Sequence, residues 1–525
     1  MRKYFVILGL LVTGCAGTKA STVPPQVGLQ GPGVQPPTTA IPGQPRPESD
    51  QQALTAVPPA PAECSGLRDH GAATSLSCTD RNSTLNALDQ ALTETDTLAR
   101  DSALTQLSRC TDLELGLILA LRAEFAPSTC GDALVGDFAE RNKPKLAPAI
   151  YDTLTGLKLA AQLTRLVRAA PQVEPPHTKV RIDDFVRGTM ANWAAAQANA
   201  ISLLSLQGAR LAGYGKGLVA VAAGMADMRF VEVFRQVPLP EEFSGDAELT
   251  DAYYSALDQG LEPRKARGRD AALVGLRVLS EVGVLHDTRL DHARSLLSRL
   301  FNGRRIDALD SLLLPPLAKP ALPDERHRLA AKLPTFYVDF VLGSVDPGET
   351  SVLRALLEHG LPASLRGKFD RSVLSAEGRQ LYARALFESG RTFWRAPEFA
   401  LASTMATTRE PMAEEDRLIG ALSRALEKGP KDAAAMMLGS TKLDELGDSS
   451  QLEALAKSKG PLAAMATYDA AVITELGSAG NPSADFFRDL AARYERAAAS
   501  LRDPGQKKLA RERAAAAAET ARKLR

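Results

Sequence analysis

The segment 191–228, ANWAAAQANAISLLSLQGARLAGYGKGLVAVAAGMADM, decides the fold of this chain. Ala and Leu dominate it, and both residues have high helix propensity. Trp193, Ile201 and Leu204 recur at helical spacing on the first half. The segment therefore predicts two helices that are joined at the glycine cluster 213–217.

A membrane-spanning segment is the alternative interpretation of these apolar residues. A transmembrane helix needs about 20 consecutive apolar residues. Arg210, Lys216 and Asp227 interrupt the segment before any uncharged run reaches that length. We therefore expect a helical hairpin inside a folded core.

Helical periodicity extends outward from this hairpin in both directions. Towards the amino terminus, we expect Asp112 to cap a helix over 113–125 and Pro144 to open a helix that runs to about Val167. Asp183 or Asp184 is expected to cap the first helix of the hairpin. After Asp246, frequent Pro and Gly residues such as Gly260 predict shorter helices.

No strand-like alternation of useful length is found, so the predicted fold class is all-α, an α-solenoid-like helix array after a disordered Pro-rich linker. The predicted organisation is a signal peptide over 1–14, a lipidated Cys and tether over 15–62, a disulfide-containing helical domain over 63–240 and a helical-repeat domain over 241–525.

Two stretches of the last region are similar to tetratricopeptide repeats. Residues 381–390, LYARALFESG, resemble a first repeat helix with its turn glycine at Gly390, and residues 422–447 carry Ala425 and Pro430 at the spacing of the repeat. The register departs by one residue at Gly439. The resemblance implies a degenerate repeat, and a generic antiparallel helix array explains the same pattern.

The first 15 residues predict export. Two positive charges at Arg2 and Lys3 precede a short apolar run over 4–12, which is typical of a secretory signal peptide. Residues 12–15, Val-Thr-Gly-Cys, resemble the lipobox of bacterial lipoproteins. This resemblance implies that the signal is removed, that Cys15 carries acyl chains and that these chains anchor the protein in a lipid bilayer. An ordinary signal peptide with a chance Cys is the alternative.

Ala16 rather than Asp follows this Cys, which by analogy with Gram-negative sorting favours the outer membrane, with the body in the periplasm. Residues 16–62 contain 11 Pro and 5 Gly among 47 residues and no aromatic residue. Such a segment cannot bury enough apolar surface to offset its ordering entropy. It predicts a disordered tether, which serves either as a long spacer or as a short linker that only clears the lipid headgroups.

Four further cysteines, Cys64, Cys78, Cys110 and Cys130, are an even number in an exported chain and predict two disulfides. Sequence alone allows three pairings. Because short loops close most easily, we favour Cys64–Cys78 and Cys110–Cys130. A zinc site is the alternative, although no C-x-x-C pair provides the usual ligand spacing.

Charge and motifs give no sign of a catalytic centre, a metal site or a cofactor. Without residues 1–14, the chain has 61 basic and 62 acidic residues, which argues against a nucleic-acid partner. His286 and His292 are six residues apart and therefore lie on different faces of a helix. The cluster 213–217 lacks the preceding strand of a phosphate-binding loop. No enzyme is expected.

One positively charged stretch is the candidate for contact with a partner. It has four basic residues within six positions and two tyrosines about one helix earlier: Tyr253, Tyr254, Arg264, Lys265, Arg267 and Arg269. Such a cluster could bind an acidic loop, a glycan or a phosphate. Alternatively, the cations pair with Asp258, Glu262 and Asp270 on the helix surface.

The favoured function is therefore an interaction scaffold for an envelope complex in secretion, motility or cell-wall assembly. Its expected partners are the bilayer, through the acyl chains of Cys15, and envelope proteins. A glycan-binding or glycan-active envelope protein with peptidoglycan as its partner is the alternative, and a periplasmic holdase or carrier is the third hypothesis.

Overall fold

The computed structural model describes residues 53–67, 78, 80–110, 112–300, 309–357, 359–365, 374–393, 396–407, 413–428, 446–478 and 482–524. Within these ranges the regular elements are all helical. The only β-type pairing there is an isolated bridge between Val284 and Gly360. The predicted all-α helix array is confirmed, while Cys15 and the tether up to residue 52 lie outside the described residues.

The first nine α-helices precede the longest helix of the chain. They are α1 (Arg81–Thr93), α2 (Thr97–Gln106), α3 (Leu115–Phe125), α4 (Gly131–Val135), α5 (Phe138–Asn142), α6 (Pro148–Arg165), α7 (Lys179–Phe185), α8 (Ala191–Ala209) and α9 (Gly213–Arg235). A π-helical turn, Val186–Met190, joins α7 to α8.

The remaining twelve α-helices in the described ranges begin with a helix of 35 residues. They are α10 (Ala247–Glu281), α11 (Thr288–Leu300), α12 (Glu325–Lys332), α13 (Thr335–Leu342), α14 (Thr350–Leu356), α15 (Ala376–Phe393), α16 (Ala396–Ala406), α17 (Glu414–Leu426), α18 (Ser450–Ala456), α19 (Ala463–Leu476), α20 (Ala484–Ser500) and α21 (Pro504–Lys523).

Three predicted helix starts were wrong by a few residues. The N-cap of α3 is Glu114 instead of Asp112. Pro144 lies in a 3-10 turn, and α6 opens at Pro148, the next proline that can occupy a first turn. The first helix of the hairpin starts earlier than expected, because the Thr178 hydroxyl accepts a hydrogen bond from the Arg181 amide and caps α7.

The expectation of shorter helices after Asp246 was also wrong at its first helix. The Asp246 side chain caps α10 by accepting a hydrogen bond from the Leu249 amide, and Gly260 and Pro263 lie inside the helix. An internal proline costs about 3 kcal/mol. Burial of the long apolar face of α10 against α9 offsets this cost.

Glycines let three helices approach with their backbones in contact. A Cβ on Gly215 of α9 would lie 2.0 Å from the Asp152 carbonyl oxygen of α6. On the other face of α9, a Cβ on Gly224 would lie 2.6 Å from the Ala272 amide nitrogen of α10. The predicted turn at 213–217 is therefore mostly helix: Gly213, with a φ of 52°, begins α9, and the glycines after it serve helix packing.

Most of the buried side chains in the described ranges form one hydrophobic core that extends from Leu85 in α1 to Ala517 in α21, and a second small cluster consists of Cys64, Leu67, Cys130 and Ala133. The boundary between 240 and 241 stays a prediction. Gly390, assigned by the repeat resemblance to a turn, lies inside α15, where a Cβ would be 2.8 Å from the Phe399 ring of α16. In the described ranges, no helix has the length and apolarity to cross a membrane.

Two disulfides are formed, as expected, but the favoured pairing was wrong. The bonds join Cys64 to Cys130 and Cys78 to Cys110, with Cα–Cα distances of 5.2 and 5.3 Å. The preference for short loops fails because α1 and α2 form a hairpin. This hairpin brings Cys78, just before α1, beside Cys110, just after α2, so the helical hairpin itself places the two sulfurs together.

Candidate functional site

A cavity of about 460 Å³ lies between α6 and α9, within the size range of small-molecule sites. The two helices run in the same direction. Near their starts, Gly215 contacts Asp152. Near their ends, Arg229 Nη1 donates hydrogen bonds of 3.1 and 3.0 Å to the carbonyl oxygens of Thr164 and Leu166. The cavity is therefore elongated along the two helices.

The middle of the cavity is apolar. Leu218, Val221 and Met225 contribute one stripe from α9, because they recur at helical spacing. From α6, Leu157 and Ala160 face them. The alanine is what leaves space, since a larger side chain at that position would fill the gap between the two helices.

One end of the cavity is an acidic network around Glu124, whose side chain is 4% exposed. Its carboxylate accepts hydrogen bonds from the hydroxyls of Tyr214 (3.1 Å) and Tyr337 (3.0 Å), and from Arg289. Arg289 also pairs with Asp287 at 2.6 Å. The network joins α3, α9, α11 and α13, so every charge at this end has a protein partner.

Burial and the charges of neighbouring groups together set the pKa values in this network. Burial raises the pKa of Tyr214 and Tyr337 well above 10, so both hydroxyls remain donors at neutral pH. Burial alone would raise the pKa of Asp287, but Arg289 beside it holds that pKa below its usual value. Burial would also lower the pKa of Arg289, yet the facing Glu124 raises it well above its usual value. This end of the cavity is a permanently paired structural hub.

The other end of the cavity has two guanidinium groups, Arg168 and Arg229. Burial, together with the nearby positive charge of Arg168, lowers the pKa of Arg229 to about 10, although Glu232 raises it. Among the described residues, neither arginine has an ion pair within 4 Å with a carboxylate. The hydrogen bonds of Arg229 go to carbonyl oxygens only. The cavity lining at this end is therefore positively charged, with Glu232 as a neighbouring acid outside the lining.

Val167, which directly precedes Arg168, has a strained backbone. Its φ is 62°, and within the described ranges it is the only residue other than glycine with positive φ. A β-branched residue is a genuine outlier in this conformation, at a cost of about 1–3 kcal/mol. The Val167 amide donates a hydrogen bond of 2.9 Å to Gln197 Oε1, which holds the strained turn in place. Strain of this kind clusters at functional sites.

The predicted cationic stretch lies on α10, and two of its arginines face inward. Arg264 and Arg267 both bind the buried carboxylate of Asp227 on α9, at 2.8 and 2.6 Å. Arg264 also stacks over the Phe230 ring at 4.5 Å. Part of the charge that the sequence shows as a patch is therefore offset by Asp227, an acid that the sequence did not indicate as a partner of this stretch.

The other two cations of the stretch have neighbouring acids on the same helix. Lys265 lies 3.7 Å from Glu262, and Arg269 lies 2.7 Å from Asp270, as the alternative interpretation expected. The third expected acid, Asp258, pairs with Arg235 of α9 instead. Partner binding through this stretch remains a prediction.

Tyr253 and Tyr254, the two tyrosines of the candidate set, lie nearer the amino-terminal end of α10 than the four cations. Tyr253 is half-buried and packs edge-to-face against Phe243 and Tyr254. Tyr254 is 39% exposed, and Leu249, one turn before Tyr253, is 38% exposed. Aromatic and apolar side chains therefore reach the surface at the amino-terminal end of α10.

The donor atoms of Glu63, Cys64 and Cys130 lie within 4.8 Å of one another, a grouping that could suit a metal ion. Both sulfurs are consumed in the disulfide, so no thiolate is offered to a metal. Among the remaining candidates, His292 lines the acidic end of the cavity, whereas the lipidation candidate Cys15 lies outside the described residues.

Sequence reasoning missed the cavity entirely. One signal was present: Arg229 follows Met225 at helical spacing, at the end of the apolar stripe formed by Leu218, Val221 and Met225, where a charge needs a partner or a function. Compared with protein families, curated proteins and solved structures, the chain matches none of them. The site is therefore interpreted from its own geometry.

Proposed function

We propose that the chain is an exported lipoprotein, anchored through Cys15 to the outer membrane and facing the periplasm, whose helical body is an interaction scaffold for an envelope complex. The Val-Thr-Gly-Cys sequence at 12–15 supports the anchor. Two disulfides support an oxidising compartment, since such bonds are rare in the cytosol.

The observation that carries the proposal is how the chain enters the body. The tether was expected to extend to residue 62, but residues 53–62 pack against the body. Gln197 Nε2 donates a hydrogen bond of 3.2 Å to the Ala56 carbonyl, and Arg165 Nε donates one of 2.9 Å to the Pro58 carbonyl. A few residues later, Cys64 is covalently bound to Cys130, and both are buried.

This junction suits a body that is held from one end while it binds something else. A force applied to residues before 53 would act first on the hydrogen bonds donated by Gln197 and Arg165, and then on the Cys64–Cys130 disulfide. The terminal residues of most domains fray unless they are tied down. Here they are tied down covalently, so tension reaches the core without peeling the first helices away.

The surface with the best composition for a partner is the amino-terminal end of α10. Tyr254 and Leu249 are exposed there beside the half-buried Tyr253. Tyrosine is enriched at protein interfaces, because it combines a large apolar ring with a polar tip. A protein partner that covers this aromatic surface fits the scaffold proposal.

Site-specific photocrosslinking in the native cell tests the proposal. A photoreactive residue in place of Tyr254 should capture one or a few envelope proteins. The matched control is the same residue in place of Arg277, whose side chain is 69% exposed and lies about 35 Å further along α10. Capture at both positions alike, or at neither, would contradict the scaffold.

The anchor is tested separately by palmitate labelling. Cys15→Ser should abolish the label and release the protein from the membrane fraction. Cys64→Ser should leave the label and the membrane association unchanged, since this cysteine is in a disulfide. Persistent membrane association of the Cys15→Ser variant would argue for another mode of attachment.

A further inference from the structure

The cationic end of the cavity has binding capacity that the fold does not use. A guanidinium has five N–H donors. Arg229 uses two of these donors, both on Nη1, in hydrogen bonds to the carbonyl oxygens of Thr164 and Leu166. Arg229 lines the cavity, and its remaining three donors, on Nε and Nη2, make no hydrogen bond with a residue that the structure describes. Arg168, at the rim, has no hydrogen bond or ion pair with any residue that the structure describes.

The charges of the cavity are separated along its length. The acidic end near Tyr214 is fully paired through Glu124 and Arg289, whereas the end near Arg229 is not. Between them lies the apolar stripe of α9. From Leu218 to Arg229 the helix rises about 16 Å. A ligand that satisfies this cavity has an anionic head at one end and an apolar body behind it.

The head is an oxyanion. Guanidinium groups bind carboxylate and phosphate oxygens through paired N–H donors, and an anion between two such groups offsets their mutual repulsion. The strained Val167 fixes the backbone that presents Arg168. Backbone strain of this kind persists where the surrounding structure holds a side chain in a required position. It therefore favours a binding site over a chance gap in the helix packing.

We propose that the cavity between α6 and α9 binds a small amphiphile, whose carboxylate or phosphate head is held by Arg168 and Arg229 and whose apolar chain lies along Leu218, Val221 and Met225. The ligand is therefore a lipid-derived or similarly built molecule rather than a glycan. This inference does not depend on the scaffold proposal, because it requires only the helical body.

Calorimetric titration of the purified full chain tests the proposal. The Cys15→Ser variant is used, so that no acyl chain on the protein competes and no detergent is needed. Four probes are compared: octanoate, octyl phosphate, inorganic phosphate and octanol. Binding of either octyl anion supports the proposal and identifies the head. Inorganic phosphate and octanol should each bind at least about tenfold more weakly than that octyl anion, since each lacks one half of the ligand.

Two variants link the binding to the cavity. Arg168→Gln should weaken the octyl anion by about tenfold, the loss of one charge-assisted hydrogen bond. Ala160→Leu should abolish binding by filling the apolar middle. The controls are Arg277→Gln, an exposed arginine on α10, and Ala196→Leu, an exposed alanine on α8; both should bind as the parent protein does.

The proposal is overturned if neither octyl anion binds, if octanol or inorganic phosphate binds as tightly as the octyl anion, or if Ala160→Leu binds as tightly as Ala196→Leu. Circular dichroism melts of each variant show whether it is folded. If Ala160→Leu fails to fold, Arg168→Gln decides the matter, because this rim residue makes no hydrogen bond or ion pair with any described residue that the fold could lose.

Discussion

Replacing Asp469 by Asn should stabilise the protein at neutral pH and remove part of its pH dependence. Asp469 lies on α19 and its side chain is completely buried. Its Oδ1 accepts a hydrogen bond of 2.7 Å from the Leu313 amide, while Oδ2 has no hydrogen-bond partner among the described residues. Asn keeps the acceptor and the shape, and it carries no charge at any pH.

The direction of the effect follows from burial. Burial raises the pKa of Asp469 well above 3.8, although the Leu313 amide and the charge of Arg391 act in the opposite direction. The folded protein therefore holds a proton that the unfolded chain releases above pH 3.8. Because the folded state binds more protons, the free energy of unfolding decreases as pH rises, and it does so until the pH passes the folded pKa.

The size of the effect is about 1.4 kcal/mol per pH unit between these two pKa values, for this one group. The stability difference between Asp469→Asn and the parent should widen by this amount with each unit of pH and then become constant. Urea denaturation with the disulfides intact, at several pH values from 4.5 upward, measures it. Asp485→Asn is the control, since that side chain is 82% exposed. A difference that is the same at every pH would refute the reasoning.

Three further predictions concern the packing of the fold. Asp227→Ala should lower the free energy of unfolding in urea by about 2–4 kcal/mol, because it leaves the half-buried Arg264 without the buried carboxylate that it binds; a loss below about 1 kcal/mol would show that water replaces the carboxylate. Gly215→Ala should lower the melting temperature, since its Cβ would meet a carbonyl oxygen of α6 at 2.0 Å, whereas Ala at the half-buried Gly188, where nothing lies within 4 Å of the added Cβ, should not. Replacing Cys64 and Cys130 together by Ser should cost about 4 kcal/mol for the 66-residue separation, and equal stability with and without reductant would contradict this.

The helical class of the fold could be predicted because it depends on local properties. The recurrence of Ala and Leu at helical spacing can be recognised in a short stretch of sequence, and the structure is helical where this pattern occurs. The exact helix ends depend on which of several polar residues reaches an amide, as Thr178 does for α7. That choice is made by the neighbouring structure, so it could not be made from the residue types alone.

Glycine was the residue type that misled sequence reasoning most. Gly215 and Gly260 both indicated turns, yet the first lies at a helix–helix contact and the second lies inside α10. The same residue that costs about 1 kcal/mol in a helix can be required where two backbones touch. Only the position of the neighbouring helix separates the two cases, and sequence does not give that position.

The candidate site shows a related limit. Its cations are far apart in sequence and are separated from the predicted cationic stretch, in which Arg264 and Arg267 share the carboxylate of Asp227. A count of charges along the chain therefore pointed at residues that are internally paired. Arg168 looks ordinary in sequence, and Arg229 stands out only by its spacing from the apolar residues of α9. Pairing is a property of three-dimensional neighbours, and it decides which charges are left to bind something else.

The carboxyl-terminal end of α6 is where these features of the molecule meet. Arg165 there binds Asp132 through both guanidinium nitrogens and also donates to the Pro58 carbonyl, so it holds the incoming chain. Two residues later, Val167 turns the backbone against Gln197, and Arg168 reaches the cavity. Because α6 ends at this strained turn, residues 53–62 and the cationic end of the cavity both contact the same short segment, 165–168.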